Sequence, residues 1–433
     1  MGRLRSTGAY VAPLIAVVFM LGMVSASRAG DDTPALGAHT CGSNESWDNA
    51  MSMCMPAAGP RATWLLSGEF NVFGVFSALS GPRGITQFAA PNMFMLDAGR
   101  SLGPRQFINL DLMATTELWT YPQRGYPELL QIGEERSNGE PFVDAQHPHS
   151  SPVMGLTLSD TVTLSRASTL KVFFAPRGES TDGPIAYMHR DSARTNPDAP
   201  LGHHVGQDVG HISSTVVGGQ LNLAQVTVEA SVFNGDEPDP TKVDLPLGPI
   251  NSEALRVTYA FAPAHRVMAS IANVQQQDPQ YPGTNSATRL SASLYDRFTP
   301  GGAYSLDQTL ILGSITRHPT DSTLVSLLDE AVLQRGRSAL WGRIELLQRL
   351  RSELQIPETG AGDEKRWVSA LTLGYTHWSS LDRGLQIGLG GSLTLDVVPT
   401  AWTSAYGSQT PLTVRLIVQV RGSARRQEEF KLQ

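Results

Sequence analysis

The sequence is short of charge, of lysine, of cysteine and of long apolar runs, and each shortage excludes something. Charged residues make up 17% of the 433 residues, against roughly 25% in ordinary soluble domains. A disordered chain pairs high charge with low hydrophobicity, whereas 41% of this chain is hydrophobic. Only four of its 33 basic residues are lysines, Lys171, Lys242, Lys365 and Lys431, and the net charge is −7. That balance excludes the basic footprint a nucleic-acid partner needs. One segment alone, at the extreme N-terminus, approaches the ~20 apolar residues of a spanning helix, so a helical membrane protein is excluded too. Walker loops, dinucleotide fingerprints, H-E-x-x-H helices and G-x-S-x-G elbows have no convincing instance in the right context. A non-enzymatic protein is therefore expected.

Residues 1–29 have the layout of a secretory signal. Arg3 and Arg5 are its basic start, Tyr10 to Ala26 its apolar stretch, and Ser27-Arg28-Ala29 its small-residue cleavage site. Removing Arg3, Arg5 and Arg28 takes the charge from −7 to −10. Residues 30–60 form a polar lead-in. It holds both cysteines, Cys41 and Cys54, which are expected to pair in an oxidising compartment. Met51, Met53 and Met55 lie beside Cys54, and soft ligands of this kind also suit Cu(I).

Beyond residue 60 the chain alternates apolar and polar residues. Leu385, Ile387, Leu389, Leu393, Leu395 and Val397 alternate with Gln386, Gly388, Gly390, Ser392, Thr394 and Asp396. A period of two is a strand with one apolar face. About sixteen such stretches run from 61–76 to 411–421, joined by alternating long and short connections. Even strand number, long outer loops and short periplasmic turns belong to single-chain bacterial barrels. The predicted fold is an all-β, antiparallel transmembrane β-barrel of about 16 strands over 61–421, with a polar tail over 422–433. A secreted sandwich or propeller is the alternative that alternation leaves open. Trp367 and Tyr375, towards the ends of one apolar face, resemble interfacial girdles.

Glu69, Asp111, Lys171, Glu229, Arg256, Arg343, Glu345, Asp396 and Arg415 fall on the polar faces and are expected to line the lumen. Their mixed signs point to ion pairs bracing a narrow or partly plugged interior, not to a ring of one charge that would select ions.

Six of the ten histidines fall between residues 147 and 211: His147, His149, His189, His203, His204 and His211. Imidazole suits Zn or Cu(II). Three readings stay open: histidines that scaffold long loops through partners such as Asp144, Asp191, Asp198 and Asp208, histidines that bind a transition metal, or histidines that carry proton or acid–base chemistry. In the turn NGDEPDP, Asn234, Asp236, Glu237 and Asp239 are oxygen-ligand candidates for Ca²⁺, without EF-hand spacing.

At QHPHS, MHRDSARTNPDAPLGHHVGQDVGHIS and VFNGDEPDP the sequence resembles an uncharacterised group of bacterial outer-membrane barrels, often encoded beside copper and heavy-metal resistance genes. The lead-in residues Cys41, Trp47, Met53, Cys54, Met55 and Pro56 are similar to a segment of such proteins. Members of the group read closer to D-R-Q-H-P-H-D, where this chain has Asp144, Ala145, Gln146, His147, Pro148, His149 and Ser150. The resemblance implies an outer-membrane location and a barrel, without a defined activity.

Three functions follow as expectations. The first is a porin-like barrel passing small solutes or ions, with histidine-rich loops folded over or into its mouth. The second is a Cu- or Zn-binding barrel that handles metal, and the third a barrel hydrolase acting on lipid. The implied partners are outer-membrane lipid, the barrel assembly machinery and a transition metal. A homo-oligomer is compatible with this size.

Overall fold

The computed structural model describes residues 45–48, 53–56, 64–135, 139–149, 151–245, 247–275, 283–320, 322–357, 365–382 and 384–428. The expected signal segment and Cys41 lie outside the described residues. So does the expected Cys41–Cys54 pairing, although the backbone of Cys54 is in a strand. That strand, β2 (Met53–Pro56), pairs antiparallel with β1 (Glu45–Asp48).

The strands β3 (Trp64–Leu79), β4 (Thr86–Ala89), β5 (Asn92–Gly103) and β6 (Gln106–Ala114) open the barrel. A separate hairpin follows, β7 (Tyr126–Glu135) with β8 (Pro141–Gln146). The barrel then continues through β9 (Val153–Ser165), β10 (Ser168–Gly178), β11 (Ser213–Leu223), β12 (Val226–Asn234), β13 (Ser252–Ala262) and β14 (His265–Gln275). It is completed by β15 (Ser286–Phe298), β16 (Ser305–His318), β17 (Ser322–Arg335), β18 (Ser338–Leu350), β19 (Lys365–Asp382), β20 (Leu385–Val397) and β21 (Leu412–Glu428). β21 returns to β3 and closes the sheet. β4 pairs with Val75–Ala78 of β3 and β5 with Trp64–Val72, so the two share one position and the barrel has sixteen. Links of two residues, as at 166–167, 224–225, 263–264 and 336–337, alternate with much longer ones.

The last strand runs to Glu428, past the boundary expected at 421. Residues 422–428 are polar, which hid the strand in the sequence. They are held by pairing with the start of β3, Gly422 opposite Phe70 and Glu428 opposite Trp64.

Alternation has a plain physical meaning here. Leu312, Leu371, Leu373, Leu389, Leu393 and Leu416 are exposed, on strands whose alternate residues are buried. Leu255 and Val257 are exposed while Arg256 between them is buried. A water-soluble sheet would hide such a face; lipid is the solvent that suits it. No helix among the described residues is long and apolar enough to cross a membrane. Leu312, mid-strand in β16 and 54% exposed, gives a test. Leu312→Arg is expected to cost about 2–4 kcal/mol of folding free energy in lipid vesicles, read as a lower urea midpoint. An unchanged midpoint would place this face in water.

The interior is occupied by chain. The connection 179–212, between β10 and β11, runs across the barrel wall from the inside. Thr181 N–H donates to Ser231 of β12, Gly183 N–H to Ser270 of β14 and Ile185 N–H to Tyr295 of β15. Further along, Ser192 meets Thr309 of β16, Asn71 of β3 and Gln419 of β21 donate to the carbonyl of Arg194, and Ser326 of β17 donates to that of Val205. A segment without regular structure needs outside partners for its backbone polar groups, and the hydroxyls and amides of the inner wall supply them. At the turn His203–Gln207 the approach is backbone to backbone. Gly206 has φ +75°, and a Cβ on Gly313 of β16 would lie 2.3 Å from the carbonyl oxygen of Val205, so glycine is required on both sides.

The connection 115–152 carries β7 and β8. Leu129, Leu130 and Ile132 pack with Leu201 of the inserted segment and with Leu347, Val368, Trp402 and Tyr406. This apolar cap forms under the long connections, so the second and third outer loops are folded inward.

Candidate functional site

The inner wall carries buried ion pairs. Arg190 of the inserted segment meets Glu330 of β17 at 2.6 Å, and Arg343 of β18 takes the other oxygen of the same carboxylate at 3.0 Å. Arg256 and Glu229 form a two-pronged pair at 2.8 and 2.9 Å. Arg415 pairs with Asp198 at 2.8 Å, and Glu345 accepts from Leu201 N–H at 2.6 Å. Asp111 and Asp396 are buried as well. Glu69 is partly exposed and pairs with Arg194 at 3.3 Å; Lys171 lines a cavity of about 70 Å³ with Asp111, Glu179, Gln220 and Arg256. The nine residues assigned to the lumen from the sequence thus sit on several strands, and most of them pair with the inserted segment or with a neighbouring strand.

Five of the six candidate histidines converge. Ring centroids lie 5.8 Å apart for His147 and His149, 5.2 Å for His149 and His211, 4.8 Å for His203 and His211, and 4.6 Å for His203 and His204. His147 and His211, 64 positions apart in the sequence, are brought together because their two loops fold into the same end of the lumen. His189 does not join them. It is buried 3.2 Å from Glu179. Burial opposes its charge, yet Glu179 holds its pKa above the usual histidine range.

Carboxylates surround the cluster, and two of them, Glu117 and Glu134, no motif announced. Glu117 Oε2 is 2.6 Å from His149 Nδ1. Glu134 and Glu237 lie 3.4 and 3.7 Å from His204 Nδ1, and Asp208 lies 3.7 Å from His203 Nδ1. Two trios, His203–Asp208–His211 and Glu134–His204–Glu237, each bring their ligand atoms within 4.8 Å of one another. Burial, then the neighbouring rings, pushes His147 and His204 well below the usual histidine range. Burial also pushes His211 down to about 4. These three imidazoles are neutral near pH 7, the state in which nitrogen offers a lone pair.

The four oxygen candidates of NGDEPDP do not gather on one point. Asn234 donates to Pro249 O, Asp239 accepts from Thr241, and Glu237 turns to Arg289 and His204. Met93, Met95, Met113 and Met154 pack together against Met188 of the inserted segment.

A closed sixteen-strand antiparallel barrel with a connection folded into its lumen defines the porin class of architecture. Among solved structures, the chain is similar to OmpF of Salmonella typhi in complex with daunomycin, with a TM-score of 0.50 at 10% identity, covering 83% of this chain and 97% of that one. An anion-selective porin from Comamonas acidovorans gives 0.49 at 11% identity, covering 84% and 100%. OmpT of Vibrio cholerae, lacking its loop L8, gives 0.47 at 11%, with the same coverage. At these identities the likeness concerns the fold. No family model matches the sequence, and no curated protein matches it at a significant level.

Proposed function

We propose that the protein is a non-enzymatic, porin-like barrel of the bacterial outer membrane that passes small solutes or ions through a lumen narrowed by its own third outer connection. The observation that supports this most is the segment 179–212, hung inside the barrel on wall side chains with polar cavities beside it. One is the cavity of about 70 Å³ noted above. Another, of about 50 Å³, lies by the short turn 263–264 among Asp191, Asp296, Arg297 and Asp307. Charges of both signs line these spaces, which favours water and small ions over a strong preference for one sign. Lipid surrounds the barrel, the assembly machinery inserts it, and copies of the chain associate side by side in the membrane. Refolded protein in a planar bilayer is expected to give discrete, small conductance steps. Silence from a barrel shown to be folded by its heat-modifiable mobility would sink this reading.

The convergence of five histidines with carboxylates supports a second reading, a metal-handling barrel that binds Cu or Zn at its mouth. Here micromolar Zn²⁺ is expected to reduce the conductance steps. Steps indifferent to metal would leave the channel and remove metal from its control.

A further inference from the structure

We propose that His149, His203, His211 and Asp208 form one binding site for a divalent ion of the zinc or copper(II) class, and that the ion fastens the inserted segment to the neighbouring outer connection. The inference rests on the second reading above and names its ligands and its purpose.

The strongest observation is a pair of nitrogens. His149 Nε2 and His211 Nε2 lie 3.0 Å apart. His211 Nδ1 is 2.6 Å from the carbonyl oxygen of Asp208. A carbonyl only accepts, so Nδ1 carries a proton and Nε2 is the atom turned to His149. His149 Nδ1 is 2.6 Å from Glu117 Oε2, so Nε2 is again the atom turned to the other ring. The two Nε2 atoms thus meet in a buried place with at most one proton between them, and a divalent ion entering there displaces that proton and takes both lone pairs. Nitrogens bound at ~2.0–2.1 Å to one tetrahedral ion are themselves about 3.3 Å apart, close to the separation seen. An imidazole whose far N–H is held by a carboxylate or a carbonyl is also the usual form of an oriented metal ligand.

Two further atoms are in place. Asp208 is fully buried, and its Oδ1 has no hydrogen-bond partner; its Oδ2 accepts from Tyr187 N–H. His203 Nδ1 is likewise buried without a hydrogen-bond partner. Such orphaned atoms are rare in folded chains, and their two residues form with His211 a trio whose ligand atoms lie within 4.8 Å of one another. A cavity of about 40 Å³ touches His149, His203 and His211, room for about two or three waters or a partly hydrated ion. Three imidazoles and one carboxylate suit zinc or copper(II) and not calcium or magnesium, which take oxygen ligands. His147 plays another part. Its Nδ1 accepts from Glu134 N–H at 3.1 Å, so its proton is on Nε2, and it props His149 and His203 edge-on.

The ligands come from two connections. His149 belongs to 115–152 and the other three to 179–212. A bound ion would therefore join the apolar cap to the segment inside the lumen.

The test uses the full chain refolded in detergent. Zn²⁺ is titrated by calorimetry, and Co²⁺ by visible absorption, whose intense bands report tetrahedral nitrogen-oxygen coordination. The expected result is a Zn²⁺ equivalent that His149→Ala/His211→Ala loses and Glu134→Gln/Glu237→Gln keeps. Bound Zn²⁺ is also expected to slow proteolysis of the two connections several-fold in the parent protein, and not in the histidine variant. Loss of that equivalent in the glutamate variant instead would move the site to the His204 trio and overturn the proposal. If the histidine variant does not fold, Asp208→Asn takes its place, with a weakened equivalent expected. No Zn²⁺ or Co²⁺ uptake by folded parent protein would overturn both the site and the metal reading, whereas conductance steps would still be read independently.

Discussion

Excising residues 184–207 and bridging the cut with a short Gly/Ser linker is expected to raise single-channel conductance several-fold. The segment removed contains Arg190, Arg194 and the His203–Gln207 turn, which reach across the lumen to β3, β16, β17 and β21. With it gone, the inner wall keeps its polar face, and water replaces the chain. The charged wall residues are not left stranded, because a flooded lumen solvates them, so the barrel is expected to remain folded. Its proof of folding is an unchanged shift in mobility between heated and unheated samples. A folded variant with unaltered conductance would show that current is limited elsewhere, and the third connection would lose its assigned role.

Glu330→Ala is the second large effect. This carboxylate takes one guanidinium on each oxygen, Arg190 at 2.6 Å and Arg343 at 3.0 Å, and it also accepts from Ser192 at 3.1 Å. All three charged partners are about 1% exposed or less at their side chains. Removing the shared anion leaves two buried cations face to face. Breaking a buried pair by deleting one partner costs about 3–5 kcal/mol, seen as a lower urea midpoint in vesicles. Glu69→Gln is the control. Its pair with Arg194 is 22–33% exposed, and such partly wet pairs contribute about 0–1 kcal/mol. Equal, small effects of the two substitutions would mean that water penetrates to Glu330 and that the segment is not packed against β17.

The wall of the barrel was legible because lipid imposes a rule on it. Every second residue must be apolar, so Leu385 to Val397 announce their strand without any knowledge of neighbours. The hairpin β7–β8 was not legible. Residues Tyr126 to Gly133 are buried on both faces, and a strand packed from two sides has no alternation to read. The end of β21 was missed for the opposite reason, since its residues from Gly422 onward are too polar to mark a face. The histidines were conspicuous by density, but density did not separate His189, which serves Glu179, from the five that converge. Their convergence depends on how two loops re-enter the lumen, a long-range fact with no local signature. Glu117 and Glu134 carried no signal at all, because a lone glutamate in a loop is indistinguishable from a solvated one until its partner is seen.

The way the inner segment is tied has a consequence for the order of assembly. Its tethers include both ends of the sheet: Asn71 on β3, and Arg415 and Gln419 on β21. These same two strands form the seam, along which all sixteen residues of β3 find partners. Until the seam is stitched, the first and last strands lack the chain that lies between them, and that chain cannot be held from both of them at once. Full lodging of the inner segment is therefore expected only together with closure of the cylinder, read as protease protection of residues 179–212 that appears with the heat-modifiable form and not before it.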